Sequence, residues 1–403
     1  MTANTTKRGF RNPAEEDRIS NLPENLIDSI LEKLPVQDAI RTNILSKYWR
    51  YKWTTMTKLV LDKQFSEKFT KNGAFDPNGF ITITNQILNL HKGAILTLNL
   101  HVPDMLLGSF QEVDQWILHL SRNGVRELVL TNSNRRYHLP SYMYLCTELR
   151  NLQLEKCILK PPPEFQGFIF MEDLFLTEVD FGDKLYKTMI TLPQVKNLTV
   201  HKCINIHSFN IKSPILQNLI EGKPVNRSLD RSYPSFVYCC LNLRKLHLQT
   251  PCILNSPLDL QRYLYLKALS LSNVEFGATL YGKLVNLPQL KTLTLIRCRN
   301  VHNFNLQASN LRYLTIFTLP DATLLQLSHN IKLGDLDQLQ GLLWMLQNSL
   351  NLERLSVLKL QLGLPGMNLD EQPAISYLEA AGCSIQTFNQ LKIVEILSIE
   401  GSI

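Results

Sequence analysis

Residues 177–210 read TEVDFGDKLYKTMITLPQVKNLTVHKCINIHSFN, and residues 272–305 read SNVEFGATLYGKLVNLPQLKTLTLIRCRNVHNFN. The second stretch realigns on the first at an offset of 95 residues without a gap. Over the surrounding 43 positions roughly 18 residues are identical. A self-match of this length marks a duplicated block in a repeat architecture. Each copy contains a shorter pattern: an apolar residue, two residues, a leucine, one residue, an apolar residue, then a cysteine or valine. Val195/Leu198/Val200/Cys203 and Leu290/Leu293/Leu295/Cys298 are the two instances in the quoted stretches.

The pattern extends in both directions. Val125/Leu128/Leu130, Leu149/Leu152/Leu154/Cys157 and Met171/Leu174/Leu176/Val179 carry it. So do Leu243/Leu246/Leu248, Leu266/Leu269/Leu271/Val274 and Leu352/Leu355/Val357/Leu360. The central leucines recur at about 21 to 27 residues in most steps, the period of leucine-rich repeats. Each repeat predicts a short strand whose alternate residues point inward. One such strand cannot bury its apolar side alone, and stacking makes one continuous core. Cys157, Cys203 and Cys298 therefore read as packed ladder positions. His207 and His302 recur in register, which favours a packing or turn role over a ligand role. Residues 75–92 and 110–123 predict helices between strands. Residues 319–350 exceed one repeat by about 18 residues, with Leu336, Leu339, Leu343 and Leu346 at helical spacing.

In front of the array the pattern is helical from Arg18 to Trp53. Leu26, Ile27, Ile30, Leu31 and Leu34 predict one apolar face, with Pro23 in the first turn and Pro35 as the stop. A second short helix is expected through Asp38–Arg41. A third is expected after Ser46 as its cap, with Leu45, Trp49 and Trp53 on one side. Three helices in about 36 residues leave apolar surface exposed, for a neighbouring domain or a partner. Either use stays open at this point.

The composition, 44% hydrophobic and 19% charged, suits a globular chain with a sizeable core. The formal charge of +7 is a mild bias over 403 residues. No apolar run reaches the roughly 18 residues of a spanning helix, and the N-terminus lacks the apolar core of a secretory signal. The expected compartment is cytoplasm or nucleus, with no membrane partner. Eight cysteines without a CxxC pair read as structural thiols, so no metal and no cofactor is expected. Phosphate-binding glycine loops, HExxH and GxSxG are absent, which argues against an enzyme.

The helical segment RISNLPENLIDSILEKLPVQDAIRTNILSKYWRYKW resembles a plant F-box. The matching pieces run in order: Leu22-Pro23, Ile30-Leu31, Leu34-Pro35, Asp38-Ala39, Arg41-Thr42, Leu45-Ser46-Lys47 and Trp49-Arg50. The repeats resemble those of plant F-box/FBD/LRR-repeat proteins. ISYLEAAGCSIQTFNQLKIVEILSIEG, from Ile375, is similar to the start of their FBD segment, which would be incomplete here. The expected organisation is an N-terminal tail over 1–16, the F-box over 17–55, the repeats over 56–374 and the FBD-like start over 375–403. The expected fold class is α/β: a three-helix F-box followed by a leucine-rich-repeat solenoid, a horseshoe with parallel strands on its concave face.

The resemblance implies binding to the Skp-type adaptor of a cullin–RING ubiquitin ligase. Leu22, Pro23, Ile27, Ile30, Leu31, Leu34, Pro35, Leu45 and Trp49 would face the adaptor or pack the module. The chain would then be the non-catalytic substrate-recognition subunit of an SCF-type ligase. An interaction scaffold or a small-molecule co-receptor are the alternatives. Strand alternation puts Gln153, Glu155, Asp173, Phe175, Thr199, His201, Lys245, His247, Ser270, Thr294, Arg354 and Ser356 on the concave face, where a target protein would bind. This face reads as mixed and weakly charged, without the basic stripe a nucleic acid needs.

Overall fold

The computed structural model describes residues 19–103, 111–133, 136–182, 189–205, 210–222, 240–249, 251–318, 352–361 and 392–400. The chain divides into two compact units, Met1–Val125 and Arg126–Ile403.

The first unit opens with two short helices, α1 (Glu24–Leu31) and α2 (Val36–Arg41). Each is preceded by a proline at its N-cap, Pro23 with φ −55° and Pro35 with φ −54°. The ring fixes φ at a value the helix start accepts, and no donor is wasted there. α1 does not have the single apolar face that the sequence spacing predicts. Ile27 and Leu31 are fully buried, while Leu26 and Ile30 are 46% and 41% exposed. Both pairs are spaced by four, so α1 carries one apolar stripe inward and another outward.

The expected third helix is also corrected. A 3-10 turn covers Thr42–Ile44, a second covers Lys52–Thr55, and residues 47–51 form turns between them. Tyr51, at φ −154° and ψ 12°, leaves helical geometry and separates the two tryptophans. Trp49 and Trp53 are both buried, whereas Leu45 is 53% exposed and shares no face with them. Ser46 still accepts a long bond from the Trp49 N–H at 3.4 Å.

Behind this module, strand Lys58–Leu61 pairs in parallel with Thr97–Val102. The helix Pro77–Leu90 lies between them in sequence and the helix Gln111–Ser121 follows, as the sequence predicts. Asp76 caps the first by accepting from Gly79 N–H at 2.9 Å. Phe80 packs edge-on to Phe69 and Trp116 with centroids 5.5 and 6.1 Å apart.

The second unit is a stack of eleven parallel strands among the described residues, paired in chain order. They are Glu127–Asn132, Asn151–Glu155, Asp173–Thr177, Asn197–His201, Asn218–Glu221, Lys245–Leu248, Ala268–Ser272, Thr292–Ile296, Tyr313–Thr318, Arg354–Gln361 and Ile393–Glu400. The alternation predicted from the leucine pattern holds: Leu152, Leu154, Leu174, Leu176, Leu198, Leu293 and Leu295 are buried. Five turns then repeat one device. The residue after the strand is left-handed: Lys156, Glu178, Lys202, Asn273 and Arg297 have φ between 50° and 61°. The next residue is Cys157, Val179, Cys203, Val274 or Cys298, and each is buried. The left-handed residue turns the chain so that its successor re-enters the core. Non-glycine residues there cost about 1–2 kcal/mol, offset by burying the small apolar group that follows.

Three strands of the second unit went unread in the leucine pattern, Ile393–Glu400 among them. In Asn218–Glu221 the second inward position is Glu221, which interrupts the apolar alternation although it is buried. Tyr313–Thr318 carries Leu311/Leu314/Ile316, the same spacing without the cysteine or valine that marks other turns. The helix predicted within 319–350, His207 and most of the FBD-like segment lie outside the described residues. From that last segment, Ile393–Glu400 pairs in parallel with Arg354–Gln361. The backbone of His302 sits in a 3-10 turn, Val301–Asn303.

Candidate protein-interaction surfaces

The N-terminal module is tied together across 24 to 28 residues of sequence. Tyr48 Oη donates to Glu24 Oε1 at 2.8 Å, and Lys52 Nζ reaches the same oxygen at 2.5 Å. Lys52, then Tyr48, hold the Glu24 carboxyl below its ordinary range, and Glu24 raises Lys52 in return. The Ser20 and Ser46 hydroxyls share a hydrogen bond at 2.8 Å. Thr57 Oγ1 donates to Glu32 just past the end of α1, at 2.8 Å. Both ends of α1 are therefore pinned by side chains.

The nine residues expected to serve the adaptor divide cleanly. Ile27, Leu31 and Trp49 are buried in the module. Leu22 and Leu34 are half-buried, and Pro23, Pro35, Ile30 and Leu45 are exposed. Sequence reasoning missed further exposed members: Leu26, Ile44, Tyr48 and Tyr51, with Ile44 reaching 86%. Exposed apolar and aromatic side chains at this density within about 30 residues form the kind of surface that interaction sites present. No signal in the spacing separates Ile44 from a core position, because no regular helix carries it.

In the second unit all twelve residues expected on the target face fall in three adjacent rows across the strands. The middle row holds Gln153, Phe175, Thr199, His247, Ser270, Thr294 and Ser356 in direct register. It also contains Val129, Ile220 and Thr315, which the sequence reading passed over. Asp173, Lys245 and Arg354 lie in the row two residues before it. Glu155 and His201 lie in the row two residues after it. In the leading row, Asn151 donates to Glu127 at 3.2 Å, and Asn197 donates to Asp173. Phe175, Ile220 and Tyr313 are 38–44% exposed on this face. Burial holds the His247 imidazole below its ordinary value.

A row of charge lies one residue outside the face read from the sequence. The residue just before each strand forms its own row: Arg126, Arg150, Glu172, Lys196, Gln217, Arg244, Lys267, Lys291, Arg312, Glu353 and Lys392. Each amide after Arg126 donates to the carbonyl of the preceding member at 2.7–2.9 Å. Eight of the eleven are cations. Strand alternation assigned only residues inside the strands, so this edge row escaped it.

Among the described residues the cysteines are all buried, free thiols. The Cys203 and Cys298 thiols donate to the carbonyls of Leu176 and Leu271 in the previous turn, at 3.6 and 3.3 Å. Burial pushes both up to about 12. Among the described residues no group of His, Cys, Asp or Glu has metal-site geometry, and no helix is long and apolar enough to cross a membrane.

A short helical module with an outward apolar set, carried in a chain whose second unit is a parallel-strand repeat array, defines the class of F-box leucine-rich-repeat proteins. The F-box domain model matches residues 19–61, close to the expected 17–55. A family described as FBD-associated F-box protein At5g56370, LRR repeats, matches residues 113–229. F-box/FBD/LRR-repeat protein At1g13570 of Arabidopsis thaliana is 36% identical over 179 residues, 43% of this chain and 41% of that protein. F-box/FBD/LRR-repeat protein At2g04230 of the same plant is 31% identical over 294 residues, 70% and 63% of the two chains. F-box/LRR-repeat protein At3g26922, also from Arabidopsis thaliana, is 31% identical over 223 residues, 53% and 70%. The chain belongs to this plant F-box/LRR-repeat family. It spans 41% and 63% of the length of the first two relatives.

Proposed function

We propose that this chain is the substrate-recognition subunit of an SCF-type cullin–RING ubiquitin ligase. The F-box docks on a Skp-type adaptor and through it on a cullin. The exposed face of the repeat sheet captures a target protein. The chain supplies no reacting group; the gain in rate comes from holding the target near an activated ubiquitin carried elsewhere in the complex. The observation that carries this reading is the outward apolar set of Leu26, Ile30, Ile44, Leu45, Tyr48 and Tyr51 on a module whose core is already filled by Ile27, Leu31 and Trp49. Docking such a set buries apolar area in a groove, the usual mode for amphipathic helices.

Affinity capture of the chain from plant cells, with and without proteasome inhibition, tests it. The reading expects adaptor and cullin in both samples, and a target enriched under inhibition. Capture of proteins without adaptor or cullin would make the chain a scaffold outside ubiquitination. Recovery of a target only when a small molecule is added would make it a co-receptor.

A further inference from the structure

We propose that the strand-edge row around Arg244, Lys267 and Lys291 is the docking site for an acidic peptide segment of the target. This deepens the reading of the sheet face as target-capturing and rests on it. The chain carries 42 Lys and Arg against 35 Asp and Glu, a net charge of +7. Residues 240–318 alone hold nine Lys and Arg against two Asp and Glu, which is the whole excess. The fold brings part of that excess to one line. Arg244, Lys267, Lys291 and Arg312 are consecutive members of the edge row, and all are exposed. Neighbouring strands lie about 4.8 Å apart, so the four span roughly 14 Å. Lys245 adds a fifth exposed cation in the adjoining row.

The same row shows what a neutralised position looks like. Glu172 pairs with Arg150 at 3.3 Å and Lys196 at 2.8 Å, and Glu353 pairs with Arg312 at 3.6 Å and Lys392 at 3.7 Å. Between these two carboxylates, Arg244, Lys267 and Lys291 have no ion-pair partner among the described residues. The fold thus neutralises the row on both sides and leaves its centre charged. Self-repulsion among these cations is unfavourable, and a negatively charged partner relieves it.

The surroundings select a peptide over a nucleic acid. Ile220 and Tyr313 flank the stripe on the sheet face at 44% and 42% exposure, an apolar and an aromatic contact for side chains. A single-strand groove instead combines its basic track with a series of aromatic side chains on which successive bases stack.

The test is fluorescence anisotropy on the purified full chain. The probe is a fluorescein-labelled peptide of Asp and Glu flanking one Phe; its comparators are the Asn/Gln counterpart and a single-stranded oligodeoxynucleotide of equal charge. The Arg244→Glu/Lys267→Glu/Lys291→Glu variant should weaken the acidic peptide about tenfold or more at low salt. Lys71→Glu/Lys92→Glu/Lys283→Glu, with the same change in net charge, should leave it within about twofold. Both variants must keep the wild-type melting temperature; if the first does not, single reversals at Lys267 and Lys291 replace it. Equal weakening by both sets, no binding of the acidic peptide, or tighter binding of the oligonucleotide would each overturn the proposal. No adaptor enters this assay, so loss of the adaptor-docking reading and loss of this one are separate results.

Discussion

Cys203 and Cys298 occupy one structural position in turns that lie 95 residues apart. Each thiol donates to the carbonyl of a leucine 27 residues earlier, Leu176 and Leu271 respectively. Each follows a left-handed residue, Lys202 and Arg297, and each is buried. The equivalent turns at Val179 and Val274 use valine, also fully buried. Volume rather than sulfur chemistry is therefore what the site demands. Cys203→Val or Cys298→Val should change the urea midpoint little, by less than about 1.5 kcal/mol in stability. Cys298→Asp should cost several times more, because it buries a charge with no partner built for it. Both thiols should resist alkylation at neutral pH in the native chain and react on unfolding.

Glu178 holds φ at 54° between a strand and buried Val179. Asn273 holds the same place in the duplicate, so Glu178→Asn should be neutral or slightly stabilising. Glu178→Val should lose about 1–3 kcal/mol, since a β-branched residue strains in the left-handed region. Urea melts of the three proteins separate these outcomes.

Trp49 and Trp53 fill the N-terminal module, and neither indole N–H has a hydrogen-bond partner among the described residues. Trp49→Ala should therefore cost about 3–5 kcal/mol, a packing loss. Trp49→Phe should cost much less, because it also removes a buried unpaired donor. Leu31→Asp would place a carboxylate at a fully buried position. Loss of adaptor binding in that variant would report unfolding of the module rather than loss of a contact, and calorimetry would show it.

His91 and His119 in the first unit both have their pKa lowered by burial, His91 also feeling the His119 charge. His91 Nε2 lies 2.7 Å from the Met56 carbonyl. As pH falls below about 6.5, the unfolded chain binds protons that the folded one refuses, so stability declines towards the folded pKa values. The contribution is intact above about pH 6.5. Thermal melts from about pH 8 down to pH 5 should show this fall, and His91→Gln should flatten part of it. A melting temperature that rises on acidification would contradict the assignment.

How far the sequence reached depended on which physical rule governed each residue. Leu198 and Leu293 were legible because strand alternation and burial impose the same period in every turn. The ladder roles of Cys157, Cys203 and Cys298 were legible from recurrence. Glu221 hid a strand because a buried carboxylate breaks the apolar pattern. Trp49, Trp53 and Leu45 looked like one helical face at a spacing of four, but the chain breaks at Tyr51 and exposes the leucine. Ile44 could not be recognised as exposed, since 3-10 turns carry no long-range period. Arg244, Lys267 and Lys291 were each visible as charges. Their alignment is a property of the stacked register, which places residues 23 or 24 positions apart side by side.

The docking of the N-terminal module on a Skp-type adaptor is the central claim, and a binding measurement with purified adaptor tests it most directly. Ile44 and Leu45 are 86% and 53% exposed, so Ile44→Asp/Leu45→Asp should keep the wild-type melting temperature. The account predicts that the wild-type full chain binds the adaptor in calorimetry at one to one and that the double variant loses at least about tenfold in affinity. No adaptor binding by the wild-type chain, or undiminished binding by the folded double variant, would contradict it.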